Sequence, residues 1–98
     1  MRWELRLLGS TGLHVSPVAL GGAPLGSMPE NFGYDVTESE AITLVRAVLD
    51  SDIRTIDTSN GYSAGRSEQR IGAAIAEHGG LPADVVVITK VDPVGADY

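Results

Sequence analysis

The run Val85-Val86-Val87-Ile88-Thr89 restricts what this chain can fold into more than any other stretch. β-Branched residues in succession, with no polar alternation, predict a strand buried on both faces, as in a parallel sheet covered by helices. Ile53-Arg54-Thr55-Ile56-Asp57 reads as a second short strand, and Val18-Ala19-Leu20 before Gly21-Gly22 as a third. Helical patterns separate them. Thr37-x-x-Glu40 is a capping-box sequence, in which a threonine oxygen and a glutamate side chain satisfy orphan amides at a helix start. Behind it Ala41, Ile42, Leu44, Val45, Val48 and Leu49 form a broad apolar stripe, which Asp50-Ser51-Asp52 ends. Ser67 is expected to cap a second helix with Ile71, Ala74 and Ile75 on one face, closed by Gly79-Gly80 and Pro82. Strands alternating with helices mean βαβ units and an α/β class.

The segment before this unit has a different character. Trp3–Leu8 and Leu13–Val15 flank Gly9-Ser10-Thr11-Gly12, the pattern of an antiparallel hairpin. Ser16-Pro17 redirects the chain, and residues 23–36, rich in Gly, Pro and Asn, read as an irregular loop. Three parallel strands with two helices leave one sheet edge open after residue 89. The 98 residues are therefore expected to be the beginning of something larger.

Charge and composition exclude several function classes. Seven basic residues against thirteen acidic ones give a net charge of −6, which disfavours nucleic acid or an anionic membrane as partner. The absence of cysteine removes disulfides, thiolate metal sites and cysteine nucleophiles, and no metal site is assigned. No apolar run approaches the roughly 18 residues of a membrane span, and the mixed, charged start Met1-Arg2-Trp3-Glu4 lacks a signal-peptide core. A soluble, cytoplasmic protein is the expectation.

Gly61-Tyr62-Ser63-Ala64-Gly65 matches the nucleophile elbow G-x-S-x-G. The elbow needs its serine on a tight strand-to-helix turn, but the preceding strand ends at Asp57, well before Ser63, and the next helix is expected only near Ser67. Thr89-Lys90-Val91-Asp92 is similar to a guanine-recognition strand end, but Lys90 is the only lysine and no phosphate-loop lysine exists upstream. A third constellation survives. In parallel α/β sheets chemistry gathers at the carboxyl ends of strands. Asp57 ends one strand, Tyr62 lies in the loop after it, and Lys90 follows the next. An ammonium beside a phenol favours the phenolate, and a carboxylate holds the ammonium in place. Such a trio can give a proton to a carbonyl oxygen or take one from an alcohol. The structural alternatives are a loop cap, a loop aromatic and a solvated charge. His14 and His78 are expected to be structural, Trp3 a packing residue, and Arg66, Glu68 and Arg70 a solvated helix face.

The same residues carry a resemblance. Asp57-Thr58-Ser59-Asn60-Gly61-Tyr62 with Gly65-Arg66-Ser67-Glu68 and Arg70-Ile71-Gly72 closely resembles the signature of the aldo-keto reductase family. Leu8–Pro17 and Leu20–Gly26 resemble its N-terminal hairpin and first barrel strand, and Ile88-Thr89-Lys90 its third strand. The wording of 57–72, Gly80-Leu81-Pro82 and Lys90-Val91-Asp92 is similar to the branch of aldose and pyridoxal dehydrogenases. The resemblance implies the N-terminal part of a (β/α)8 TIM barrel, with residues 1–98 one incomplete domain. It implies an NAD(P)-dependent oxidoreductase moving hydride between nicotinamide and a carbonyl, alcohol or sugar hemiacetal. Tyr62 would be the proton donor, tuned by Lys90 and Asp57, with Gly22, Ala23 and Asp57 near NADP(H) or NAD(H). Two departures stand out: Ser63 where the family usually has glycine, and Asp52 where a glycine commonly ends the first helix and a left-handed cap would be needed. The family's catalytic histidine and most of its dinucleotide site would lie beyond Tyr98. The remainder of the barrel, or self-association, is then expected to cover the open sheet. The competing expectation is an inactive barrel segment serving as a binding or assembly module.

Overall fold

The computed structural model describes residues 3–92; Met1 and Arg2, part of the leader argument, lie outside them. Strands β1 (Arg6–Leu7) and β2 (His14–Val15) pair antiparallel, with Arg6 opposite Val15 and Leu7 opposite His14. The turn between them is closed by the amide of Leu8 on the carbonyl of Leu13 (2.8 Å) and by the Thr11 hydroxyl on the carbonyl of Leu8 (2.6 Å). Trp3 does not pack as expected; it is 42% exposed. Ser16 is the joint between hairpin and sheet. Its buried hydroxyl donates to the carbonyl of Val18 (2.6 Å) and accepts from the amide of Arg54 (2.9 Å).

The parallel sheet has the order β3-β4-β5, with β3 Leu20–Gly21, β4 Thr55–Asp57 and β5 Val86–Ile88. Gly21 stands opposite Asp57, and Asp57 opposite Ile88. Burial on both faces was expected of β5, but Val86, Val87 and Ile88 are only half-buried. The strand has β4 on one side and, among the described residues, no strand on the other. An apolar groove of about 300 Å³, floored by Ile71, Ile75, Leu81 and Val87, runs beside it.

The expected irregular loop 23–36 contains two short pieces of order: a 3-10 turn, Ala23–Gly26, and a single-turn helix α1, Pro29–Phe32, begun by Pro29 and ended by Gly33. Helix α2 (Glu38–Leu49) starts as expected at Thr37, whose hydroxyl oxygen accepts from the amide of Glu40 (3.1 Å) and donates to its carboxylate (2.9 Å). Ala41, Val45, Val48 and Leu49 are buried, but Leu44 is 47% exposed and leaves the stripe. Asp52 takes no left-handed conformation; the helix closes at Asp50 with right-handed geometry, and the Ser51 hydroxyl bonds the carbonyl of Val48 (2.7 Å).

Helix α3 (Arg66–His78) begins one residue before the expected serine cap. Gly79, at φ 100°, ends it: its amide bonds the carbonyl of Ala76 and that of Gly80 bonds Ile75. That left-handed C-terminal cap is a conformation glycine adopts without penalty. α2 and α3 pack side by side, and one core joins Leu25, Ala41, Val45, Val48, Leu49, Ile56, Ile71, Ala74 and Val85. His78 Nε2 donates to the Asp50 carboxylate at 2.8 Å, joining the C-terminal ends of both helices, a structural use as expected. No helix among the described residues is long and apolar enough to cross a membrane.

Candidate active site

Parallel pairing brings the ends of β3, β4 and β5 level, so the residues that follow them share one rim. Asp57 closes β4, half-exposed. Two residues beyond β5, Lys90 folds over this rim and uses all three of its ammonium protons. Nζ lies 3.0 Å from Oδ1 of Asp57, 2.7 Å from the carbonyl of Thr58 and 3.4 Å from the hydroxyl of Tyr62. It also sits 5.0 Å from the centroid of the Tyr62 ring, within the range of a cation–π attraction. The sequence trio is therefore assembled.

The hydrogen bond that Lys90 donates to Asp57 raises its pKa above the ordinary 10.5, opposed by desolvation and assisted by Tyr62. Asp57 and Lys90 side chains are 48% and 44% exposed. A raised lysine value keeps the group charged throughout the neutral range, so it acts as a fixed cation at the phenolic oxygen.

Backbone bonds hold the rim. The amide of Gly22 donates to the carbonyl of Asp57 (2.7 Å), and that of Thr58 to the carbonyl of Ile88 (2.8 Å). Ser67, expected as a helix cap, is instead fully buried inside the first turn of α3. Its hydroxyl donates to the carbonyl of Gly22 (2.6 Å) and bonds the hydroxyl of Thr58 (2.8 Å). A side chain at Gly22 would meet Thr58 at 3.0 Å, so any larger residue would push on Thr58 by a few tenths of an ångström. Ala23, next in line, opens the 3-10 turn and is half-buried.

Arg66 is exposed, as a solvated face requires, but Glu68 and Arg70 are half-buried and all three are tied back to the chain. Arg66 Nε donates to the carbonyl of Gly26 (2.9 Å), and Arg70 Nη1 to those of Leu25 (2.6 Å) and Val36 (3.0 Å). Glu68 accepts from the Thr89 hydroxyl (2.7 Å), beside Lys90. These clasps were not visible in the sequence, because each partner is a backbone or hydroxyl group at least 21 residues away. Asp92 was likewise missed as a site residue. It accepts from the Ser59 hydroxyl (3.3 Å), and its amide donates to the Asn60 side chain (3.2 Å), fixing the loop that leads to Tyr62.

Tyr62 opens a 3-10 turn, Tyr62–Gly65, in which Ser63 (φ 52°, ψ 43°) and Ala64 (φ 54°, ψ 37°) are left-handed. The departure from glycine at 63 therefore falls on a position where glycine is the residue without penalty. A left-handed backbone costs an L-residue about 1–2 kcal/mol, part of which glycine returns as unfolded-chain entropy. Ala64→Gly is expected to raise the unfolding free energy by up to about 1 kcal/mol, read from urea denaturation; a loss of stability would contradict the strain.

The rim also bears on the cofactor the fold implies. A Cβ added at Gly21 would meet nothing within 4 Å, so small residues leave open space beside Asp57. Gly21, the half-buried Ala23 and the half-exposed Asp57 leave room for a nicotinamide ring, whereas Gly22 is packed against Thr58. Arg66 and Arg70 are engaged by the chain's own carbonyls and are not placed as a phosphate cradle.

Comparisons with known proteins agree with this architecture. Residues 17–98 match the model of the aldo/keto reductase family. L-galactose dehydrogenase of Arabidopsis thaliana is 40% identical over 87 residues, which cover 89% of this chain and 26% of that protein. An uncharacterized 11.2 kDa protein of Pseudescherichia vulneris is 36% identical over 94 residues, covering 89% of this chain and 84% of its own length. The holo form of aldo-keto reductase AKR11C1 from Bacillus halodurans superposes with a TM-score of 0.71 at 30% identity, over 92% of this chain and 26% of that one. Apart from the short relative, the chain spans about a quarter of the length of the curated proteins it matches. The hairpin, the three parallel strands and the two long helices are part of a TIM barrel, and the chain belongs to the aldo/keto reductase family.

Proposed function

We propose that Asp57, Tyr62 and Lys90 are the proton-transfer groups of an NAD(P)-dependent reductase or dehydrogenase acting on a carbonyl, an alcohol or a sugar hemiacetal. The observation that carries this is Lys90, whose single ammonium bridges the carboxylate of Asp57 and the phenol of Tyr62. In reduction the Tyr62 hydroxyl gives its proton to the carbonyl oxygen, and Lys90, already donating to the phenolic oxygen, stabilises the phenolate left behind. Asp57 keeps the ammonium in place. In oxidation the phenolate takes the proton back from the alcohol. A nicotinamide, when bound, supplies or accepts the hydride. Gly22, Ala23 and Asp57 are the residues of this chain proposed to lie against it, with NADP(H) and NAD(H) both compatible. The hemiacetal side of the proposal is supported by the likeness to a protein named L-galactose dehydrogenase. A cytoplasmic setting accompanies this reading.

The half-buried β5 and its adjoining groove favour a second element of the proposal. Residues 1–98 form the first part of one barrel domain, whose remainder, or a second copy, covers that edge. The competing function, an inactive segment serving in assembly, makes opposite demands. Native mass spectrometry with and without NADP and NAD separates them. The enzyme predicts an assembly that retains one nucleotide and reduces a carbonyl. Self-oligomers that retain no nucleotide would overturn it in favour of the assembly module.

A further inference from the structure

Among the described residues, three non-glycine positions take positive φ: Ser27 (70°), Ser63 (52°) and Ala64 (54°). They lie on two turns that meet beside Tyr62, where the Ser63 hydroxyl donates to the carbonyl of Ser27 (3.3 Å). Backbone strain gathered at one place marks a position the surrounding structure enforces. What enforces it here is an unusually close approach. A Cβ built on Gly26 would stand 2.5 Å from Cβ of Ser63 and 2.6 Å from its Oγ, with a lesser contact of 3.2 Å to the Ser67 amide nitrogen, so the gap between the turns has no room for both Cβ atoms.

We propose that Gly26 and Ser63 form an interlock that sets the Tyr62 ring over Lys90, both acting as positioning residues. Its catalytic meaning rests on the reading of Tyr62 as the acid. The Gly26 side cannot yield. Gly26 and Leu25 are buried, their carbonyls are held by Arg66 and Arg70, and Gly22 at the head of the same turn is pinned by Asp57 and Ser67. Any excess volume must therefore displace Ser63. That residue is covalently next to Tyr62, whose ring centroid is 5.0 Å from the Lys90 ammonium. The serine of the G-x-S-x-G pattern thereby acquires a mechanical role.

The interlock can be measured without turnover. Lys90 is the chain's only lysine, so selective lysine labelling of the full chain gives one ε-methylene signal in an NMR spectrum. The ring current of Tyr62 displaces that signal, with Tyr62→Ala as the zero reference. Gly26→Ala puts two Cβ atoms in the gap and is expected to lose most of the displacement. Ser63→Gly leaves none and is expected to lose part. Gly26→Ala combined with Ser63→Gly restores one Cβ, and the displacement should return towards the wild-type value. Losses that simply add in the double variant would overturn the interlock, as would an unaltered signal in Gly26→Ala. Should Gly26→Ala fail to fold, Ser63→Gly against the double variant still decides: the double must show the larger displacement. In the assembled enzyme, Gly26→Ala should lower kcat by up to about 10²-fold at unchanged KM for the nicotinamide, and the double variant should recover it. The full NMR pattern in an active assembly whose Tyr62→Phe variant keeps its turnover would uphold the interlock and overturn the assignment of Tyr62 as acid.

Discussion

Replacing Tyr62 by phenylalanine in the assembled protein is expected to lower kcat for carbonyl reduction by about 10²–10⁴-fold, the usual contribution of a positioned general acid. The change removes one oxygen. The ring that Lys90 faces at 5.0 Å remains, and so do the bonds of Lys90 to Asp57 and Thr58. Nucleotide affinity and thermal stability should therefore stay at wild-type values while turnover falls, a split visible in steady-state kinetics beside a binding titration. A variant retaining turnover within about tenfold of wild type would remove Tyr62 from the chemistry, since an acid contributes at least tenfold more than that.

Arg54→Ala should be the most damaging single change to the fold. The guanidinium is buried, with only 5% of its side chain exposed, and it serves several acceptors at once. Nη2 donates to the carbonyls of Leu49 (2.6 Å) and Ser51 (2.7 Å), Nε to that of Ile53 (3.0 Å), and Nη1 to Asp84 (3.1 Å). Carbonyls at the C-terminal end of α2 have no partner within the helix, and this arginine supplies one. Asp84, 41% exposed, can return to water, but each buried carbonyl left without its donor costs about 1–3 kcal/mol, so a total of about 3–5 kcal/mol is expected. That is a large share of the roughly 5–15 kcal/mol by which domains are stable. The midpoint of urea unfolding should fall accordingly or the transition disappear. Arg54→Lys should recover only part, because an ammonium has three protons and no planar fork. A loss below about 1 kcal/mol for the alanine variant would place the arginine among ordinary surface side chains.

These two residues differ in how well the sequence announces them. Asp57, Tyr62 and Lys90 were legible because strand ends are legible: a β-branched run locates the strand, and parallel pairing locates its chemistry. Thr37 and Gly79 were legible for a similar reason, since helix caps are local and depend on residue type. Arg54 carries no such signal. An arginine inside an apolar strand segment looks like a solvated interruption until α2 ends above it. Ser67 shows the same limit. Its place at a helix start suggests a cap, but its hydroxyl turns inward to Gly22, 45 residues earlier in the chain. The half-burial of Val86–Ile88 was hidden for another reason: composition states what a strand tolerates on its faces, whereas burial depends on which neighbours arrive. The turns at 23–27 and 62–65 were unreadable because their fit depends on a distance between two backbones.

The level ends of the three parallel strands have a consequence for how such a protein can change over generations. Asp57 and Lys90 meet because Gly21, Asp57 and Ile88 are matched through main-chain bonds, which any residue other than proline can make. Conservative exchanges among Val45, Val48, Ile56 and Ile71 would alter how firmly the helices hold the sheet while leaving that alignment in place. Robustness and chemistry are thus inherited through separate parts of the chain. A lineage can drift in its interior, adapting to heat or cold, without disturbing the place where Asp57 and Lys90 meet.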